Sequence, residues 1–583
     1  MNASRLCKVI LVLGTFSTCC HSANILGIFP FPARSHLILI TSLMKELASR
    51  GHQVTVVSHF PQEKPLQNYT DIKLSFKMES IFDSKPDMFQ MGAANPLFMM
   101  PFFLTLCQKI TKAGLESPQL QELIHSKNQH FDIIVIESFM TEAMLGFAHK
   151  FNASIIQICP FTGDEFVGDS VGNPFPYAYA PSPFLGYTDH MTFLERLHNT
   201  FHQLYFKILY KLYHLPTQDN MMKEAFKELS DIPSVTDLNE KTSLVFLNSH
   251  ISVNYAQPLL PNVVPIGGMH IKSSLAPLSK DLKTFLDNAQ HGVIYFSMGS
   301  NLRSADISPP TLAAILNTFS KLKQKILWKF ELDNLPGQPA NVKIEKWLPQ
   351  DSVLDTTDEP TLQYLRISSF CLEGSGTVSS CSLEGSGTVS SCSLEGSGKV
   401  SSCSLDSPWD AHPNLRLFMT HGGQHSTLEA IYHGVPVIGI PVIREQKLNM
   451  IQSASAGSGV VVYYENVSET SLSWALQEVL ENPRYRENAK LRSKLFHDRP
   501  TTAMETAVFW TEYVARHKGA PHLRSAALDL YWFQYYLLDV IAVLLLVLTA
   551  ALSTLVFMCK VIKRKLIGGS NKQVKESREK KRK

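Results

Sequence analysis

Two groups of residues in this 583-residue chain have the types and spacing to do chemistry. The first runs from Phe418 to Asn449 and holds His421-Gly422-Gly423, then Ser426-Thr427-Leu428-Glu429, then Glu445-Gln446. An apolar strand (Leu415, Leu417, Phe418, Met419) enters two glycines and then a predicted helix, so backbone N–H groups and the positive helix end face the turn. A phosphate group suits that position. Ser426 and Glu429 also read as a capping box, which is common in purely structural helices, so this stretch alone supports either reading. The second group centres on His36, at a loop-to-helix junction after an apolar strand. Histidine titrates near neutrality, which fits it for general-base work, although a histidine at a helix start is more often a solvated cap.

The elements that must carry these residues alternate between strand and helix. In the first half, a strand (Ile25 to Phe31), an amphipathic helix (Leu37 to Arg50) closed by Gly51, and a strand (Gln53 to Ser58) form a βαβ unit. Phe131 to Ile136 repeats the buried-strand pattern ahead of a helix through Met144 and Phe147. In the second half, strands at Val293 to Ser297, Ile326 to Phe330, Leu415 to Thr420, Val435 to Ile440 and Gly459 to Tyr463 alternate with helices at Thr311 to Lys323, Ser426 to His433 and Ser471 to Glu481. This alternation argues for an α/β chain with parallel sheets. The expected domains are 24–257 and 266–518, joined by a Pro-rich linker from Pro258 to Pro265, with the ligand cleft where the carboxyl-end loops meet. Residues 161–255 are aromatic-rich and irregular, which suits an acceptor pocket or structural helices equally.

Trp347-Leu348-Pro349-Gln350, resumed at Ala411 and continued to Gln446, resembles the donor signature of the UDP-glycosyltransferases, the membrane-bound detoxifying family, in the wording of its insect members. The likeness covers nearly the whole chain. It implies the GT-B fold, two facing Rossmann-like domains with the acceptor on the first and the UDP-sugar on the second. It also implies inverting transfer of a hexosyl group, glucose, to hydroxyls of small lipophilic acceptors, with UDP-glucuronic acid as the rival donor. The resemblance makes His36 the base, and assigns Trp347 to stacking on uracil, Gln350 to its edge, Glu429 to the ribose hydroxyls, and Glu445 with Gln446 to the sugar. Planar rings stack, and vicinal diols can donate to both oxygens of a carboxylate. His421, Gly422, Gly423 and the N–H groups ahead of Ser426 would stabilise the departing diphosphate, and Gly299-Ser300 would approach the diphosphate or the sugar. No Asp-x-Asp element is present, so the expectation is no metal and no cofactor beyond the UDP-sugar co-substrate.

The chain departs from the family in two places. The histidine's partner is an aspartate just after the fourth-strand pattern, whereas here Phe131-Asp132-Ile133-Ile134-Val135-Ile136 is followed by Glu137. Glu142, five residues on, stands where insect relatives often carry an aspartate, so either glutamate could fix the imidazole. Residues 355–410 then interrupt the signature with an 11-residue repeat marked by Leu372, Leu383, Leu394 and Leu405, each followed by an acidic residue. Such Gly/Ser-rich sequence cannot bury a core, and the spacing of Cys371, Cys381, Cys392 and Cys403 matches no common zinc pattern. It reads as a translated tandem repeat. A surface loop tolerates such length, but this one starts five residues past Gln350, so a non-catalytic member that binds nucleotide sugar or lipophile is the competing functional class.

Composition sets the compartment. With 44% hydrophobic and 18% charged residues, the chain can hold two globular domains plus appendages. Residues 1–23 have the layout of a secretory signal peptide. Residues 540–559 form an uncharged apolar run long enough to cross a bilayer. In the tail, 560–583, eleven Lys and Arg face only Glu576 and Glu579, a surplus of nine that leaves about −6 for the rest of the net +3. The tail is therefore expected in the cytoplasm and the domains in the lumen of the endoplasmic reticulum as a single-pass type I protein, with Lys580 and Lys581 resembling a dilysine retrieval signal. An acidic body excludes nucleic acid as partner. A homo-oligomer is compatible with the sequence. Ten cysteines reduce to Cys107 and Cys159 once the leader, repeat and span are set aside, leaving one disulfide or two buried thiols. Asn68, Asn152 and Asn466 head glycosylation sequons. A hydride-transferring dinucleotide enzyme is excluded, since the first strand meets Pro32-Ala33-Arg34-Ser35 and not Gly-x-Gly-x-x-Gly.

Overall fold

The computed structural model describes residues 22–76, 81, 87–272, 277–354, 394–395, 399–400, 414–443 and 445–582. The expected leader up to His21, nearly all of the repeat insertion and Ala411-His412-Pro413 lie outside the described residues. Two compact units divide at Arg524 and Ser525.

The first unit contains two parallel sheets. The first sheet has seven strands: β1 (Asn24–Ile28), β2 (Gln53–Ser58), β3 (Tyr69–Lys73), β4 (Ile133–Glu137), β5 (Ser154–Cys159), β6 (Thr242–Leu247) and β7 (Val263–Pro265). They lie in the order β3-β2-β1-β4-β5-β6-β7. Alternate residues serve opposite faces, as strand geometry requires. Leu26, Ile28, Ile134 and Ile136 pack with Leu104 and Met144, while Ile25, Val54, Ile133 and Val135 pack with Leu39, Leu43 and Leu47 of helix α1 (Arg34–Ser49). Those three leucines recur every four residues and so form one stripe of the helix.

The second sheet is built from β8 (Val293–Ser297), β9 (Lys325–Lys329), β10 (Val342–Glu345), β13 (Leu415–Thr420), β14 (Val437–Gly439) and β15 (Gly459–Val461), in the order β10-β9-β8-β13-β14-β15. Its core centres on Phe296, Phe319 and Trp328, with Trp328 fully buried and its indole N–H donating to Ser304 Oγ. A two-stranded antiparallel pair, β11 (Leu394–Glu395) with β12 (Lys399–Val400), lies within the insertion.

Three differences from the sequence expectation have simple causes. The expected linker supplies β7, because Val263 and Val264 find an open edge beside β6. Residues 161–255, read as irregular, contain helix α2 (Phe193–Leu209), a π-helical turn at Tyr210–His214, helices Leu215–Ala225 and Val235–Asn239, and β6. Phe193, Phe201, Tyr205, Phe206, Tyr210 and Tyr213 are positions on these helical turns, whereas Phe175, Tyr177, Tyr179, Phe184 and Tyr187 lie in the segment before them. Near the end of the second half, helix α5 (Ala503–Arg516) follows α3 (Gln424–Tyr432) and α4 (Glu445–Ser455) but packs back on the first sheet, burying Ala507, Val508 and Val514 beside Leu43 and Leu47. Cys107 and Cys159 are buried and not bridged to each other.

The second unit is dominated by α6 (Leu538–Lys580), in which residues 538–565 are long and apolar enough to cross a membrane. The expected span 540–559 falls inside it. Exposed Tyr531, Trp532, Tyr535 and Tyr536 precede it, amphipathic rings of the kind that sit at headgroup level.

Candidate active site

β4 lies beside β1 with Ile28 opposite Ile136, so Glu137, the last residue of β4, projects at the level where the chain turns from β1 into α1. His36 occupies the first turn of that helix. Its Nδ1 lies 2.5 Å from Glu137 Oε1, and both side chains are buried. Glu137 thus takes the position that sequence left open between two glutamates, and its extra methylene still allows a short bond. Phe31 stacks on the imidazole with ring centres 5.6 Å apart, while Phe139 and Phe161 meet it edge-on at 4.9 and 5.1 Å. In such an apolar surround a charge-assisted hydrogen bond is strengthened, and anchoring Nδ1 leaves Nε2 as the basic atom.

Glu142 is committed elsewhere. It accepts from Tyr210 Oη at 2.6 Å and pairs with His214 Nε2 at 2.9 Å. Burial by itself pushes its carboxyl up, but the charge and hydrogen bond of His214, with Tyr210, carry it below the usual carboxylate value. Its candidacy as partner of His36 is corrected: it holds the π-helical turn to the core.

The second group assembles at the carboxyl end of β13. Gly422 has φ +82°, and a Cβ there would meet Met450 Cγ at 2.5 Å and Gln446 O at 3.0 Å, so only glycine lets α4 approach this loop. Asn449 of α4 secures the approach by donating from Nδ2 to Gly422 O at 2.9 Å. Gly299, at φ +80°, lies against the His421 ring, so the β8 and β13 loops touch through His421. Ser300, next to it, is half-buried. Burial, and secondarily the charge of Lys329, lower the pKa of His421 to about 4, so it is a neutral imidazole at physiological pH. Gly423 is the N-cap of α3 and brings no side-chain cap, which leaves the first amides of that helix facing the cleft.

Gln350 ties the upstream motif to this loop. Its Nε2 donates to Glu429 Oε2 at 2.6 Å and Ser426 Oγ at 2.9 Å, while its Oε1 accepts from Tyr295 Oη at 3.1 Å. Gln446 Oε1 accepts from the backbone N–H groups of Val442 and Ile443, at 2.9 and 3.0 Å, so its NH2 is the hydrogen-bonding group that remains. Glu445 opens α4 and is buried. Trp347 is 55% exposed, with the Arg34 guanidinium 5.6 Å from its ring centre. That contact joins the two halves, as does Gln424 Nε2 donating to Asn248 O at 2.7 Å. Of the sequons, Asn152 and Asn466 are exposed, whereas Asn68 is half-buried and donates from Nδ2 to Ala48 O.

Several participants were not singled out from sequence. His270 Nε2 lies 3.2 Å from Glu429 Oε1, and its ring meets that of His425 at 4.2 Å. Burial first, then His270 and His36, lower the His425 pKa well below the usual value. His425 stood inside the motif and was open to recognition. His270 follows Gly267-Gly268-Met269 in a segment with no local pattern, and tertiary folding alone brings it here.

Comparison with known proteins accords with this geometry. The family described as UDP-glucoronosyl and UDP-glucosyl transferase matches residues 28–358 and 410–573, leaving out a stretch that coincides with the repeat insertion. UDP-glycosyltransferase UGT5 of Dactylopius coccus is 33% identical over 576 residues, spanning 97% of this chain and 98% of that protein. Human UDP-glucuronosyltransferase 2B7 is 29% identical, over 92% and 93% of the two chains. Among solved structures, a UDP-glucosyltransferase from Polygonum tinctorium shares the fold with a TM-score of 0.50 at 16% identity, covering 86% of this chain and 99% of that one.

Proposed function

The chain belongs to the UDP-glucoronosyl and UDP-glucosyl transferase family and is a glycosyltransferase of GT-B fold, and on that premise we propose that it moves glucose from UDP-glucose to hydroxyls of small lipophilic acceptors. His36 Nε2 takes the acceptor proton as the oxygen attacks the anomeric carbon. The new C–O bond forms as the bond from that carbon to the diphosphate oxygen breaks on the opposite face, which inverts the configuration, and UDP departs with the electron pair. Glu137 holds the tautomer of His36 and stabilises the imidazolium. Neutral His421, the Gly422-Gly423 backbone and the first amides of α3 receive the diphosphate, so the scheme needs no cofactor or metal.

Trp347 and Gln350 hold the uracil, Glu429 the ribose, and Glu445 with the Gln446 amide the sugar, with Gly299-Ser300 closing over the diphosphate. The span and basic tail support a type I protein of the endoplasmic reticulum with both sheets in the lumen. The observation that carries the reading is the buried 2.5 Å His36–Glu137 bond on the half facing the nucleotide loop.

The test is transfer from labelled UDP-glucose and UDP-glucuronic acid to a simple phenol, in microsomes expressing the whole chain or a form lacking 355–410. Glucose transfer by both forms is the expected result. Preference for glucuronic acid would overturn the donor assignment, and UDP binding without transfer by either form would overturn catalysis.

A further inference from the structure

His425 and Glu429 stand one turn apart on α3, so their side chains share a face of the helix. One residue from beyond β7 of the first sheet meets both. The segment that carries it hangs from that sheet: Ile266 N–H donates to Leu247 O and Gly267 N–H to Ser249 O, each at 2.8 Å, while Ile266 and Met269 pack in the core with Phe246. From there His270 reaches across to α3. Its ring meets that of His425 edge-on, and its Nε2 lies 3.2 Å from Glu429 Oε1. The His270 side chain is 3% exposed and that of Glu429 11%, so the contact is nearly sealed from water and the carboxylate retains a small opening.

Glu429 is thus flanked at both oxygens. Gln350 Nε2 holds Oε2 at 2.6 Å and His270 Nε2 stands at Oε1; the first donor belongs to the second half, and the other is tied to the first sheet. A carboxylate offers about four lone-pair sites, so two remain after these donors, the number a vicinal diol requires. Neither nitrogen of His270 has a well-aligned hydrogen bond among the described residues, and Nε2 has the Glu429 carboxylate within reach, so a slight turn of the ring completes the contact. A glutamate left unheld samples several rotamers, and freezing it only when ligand arrives lowers affinity. We propose that His270 is the positioning residue of the ribose site: it fixes the Glu429 carboxylate for the 2′- and 3′-hydroxyls of UDP, so a residue tied to the first sheet sets the nucleotide affinity of the second. This role rests on Glu429 being the ribose carboxylate.

The test is calorimetry on the full chain in detergent, with UDP and with 2′,3′-dideoxy-UDP, which lacks the ribose diol. His270→Ala should weaken UDP about tenfold and the dideoxy nucleotide by less than about twofold. His270→Gln, whose amide can again donate, should recover UDP affinity to within about threefold of the unaltered chain. In a Glu429→Ala background, His270→Ala should change UDP affinity by less than about twofold, because the two residues act as one unit. Equal weakening of both nucleotides by His270→Ala, or losses that add in the double variant, would overturn the role of His270. If the alanine chain does not fold, His270→Phe, which keeps a ring beside His425 but has no N–H, is read in the same way. Equal binding of UDP and its dideoxy form by the unaltered chain would overturn the ribose assignment of Glu429, and the role of His270 with it. Sugar transfer by that same chain, measured alongside, keeps such a failure distinct from failure of the transferase reading.

Discussion

Glu137 Oε1 lies 2.5 Å from His36 Nδ1 because two parallel strands, β1 and β4, stand side by side in register and end together. The pair is thus a product of sheet topology, bringing together residues 101 positions apart. Glu137→Gln should lower kcat about a hundred- to ten-thousand-fold, since an amide cannot stabilise the imidazolium. His36→Ala should abolish transfer while UDP affinity stays within about twofold, because a general base serves the chemical step. Single-turnover kinetics and UDP titration check both, and unchanged turnover in either variant removes that residue from the mechanism.

Glu142→Gln should behave oppositely, leaving kcat for folded protein within about threefold but costing about 3–5 kcal/mol of stability, as breaking a buried pair does. The folded-state carboxyl titrates below its ordinary value of 4.5, so its contribution is present above that pH and is lost as pH falls through the lowered one. Denaturant melts should show the gap between wild type and variant intact at pH 7 and shrinking only below pH 4.5.

Gly299→Ala places a methyl group 2.4 Å from His421 Cε1 at a backbone angle of φ +80°. The strain is on the order of 1–3 kcal/mol, and relieving it requires moving the imidazole or the loop. UDP affinity measured by calorimetry should fall about tenfold or more. Affinity equal to wild type would separate the β8 loop from nucleotide binding.

Acid sensitivity should come from buried neutral imidazoles. His202 is 1% exposed, and burial, then the charge of His198, bring its pKa to about 4. Because its unfolded value is 6.5, the neutral form supports the fold above pH 6.5, and that support drains away as pH falls toward 4. His202→Leu should therefore narrow the stability difference between pH 7 and pH 5. A difference of unchanged size would place the acid response elsewhere.

The legible parts of this molecule are those with local pattern. β2, β8 and β13 fall where apolar runs placed them, and the loops after β8 and β13 announce themselves by glycines. β3 did not show, since Asp71 and Lys73 give an edge strand the composition of a loop. The choice between Glu137 and Glu142 was illegible for a deeper reason: they are five residues apart, and only strand register decides which one meets a helix a hundred residues upstream. His270 joined Glu429 by the same kind of long-range folding. The helices of 161–255 were obscured because their aromatic residues point both inward and outward, which blurs the stripe that normally reveals a surface helix.

The return of α5 to the first sheet has a consequence for biosynthesis. The first half completes its seventh strand at Pro265, yet the helix that seals one of its faces is translated roughly 240 residues later, on the order of ten to fifty seconds at about 5–20 residues per second. Through that interval Leu43, Leu47 and the apolar positions around them await their cover in an unfinished chain, so this face of the first sheet closes only after the second half has been made.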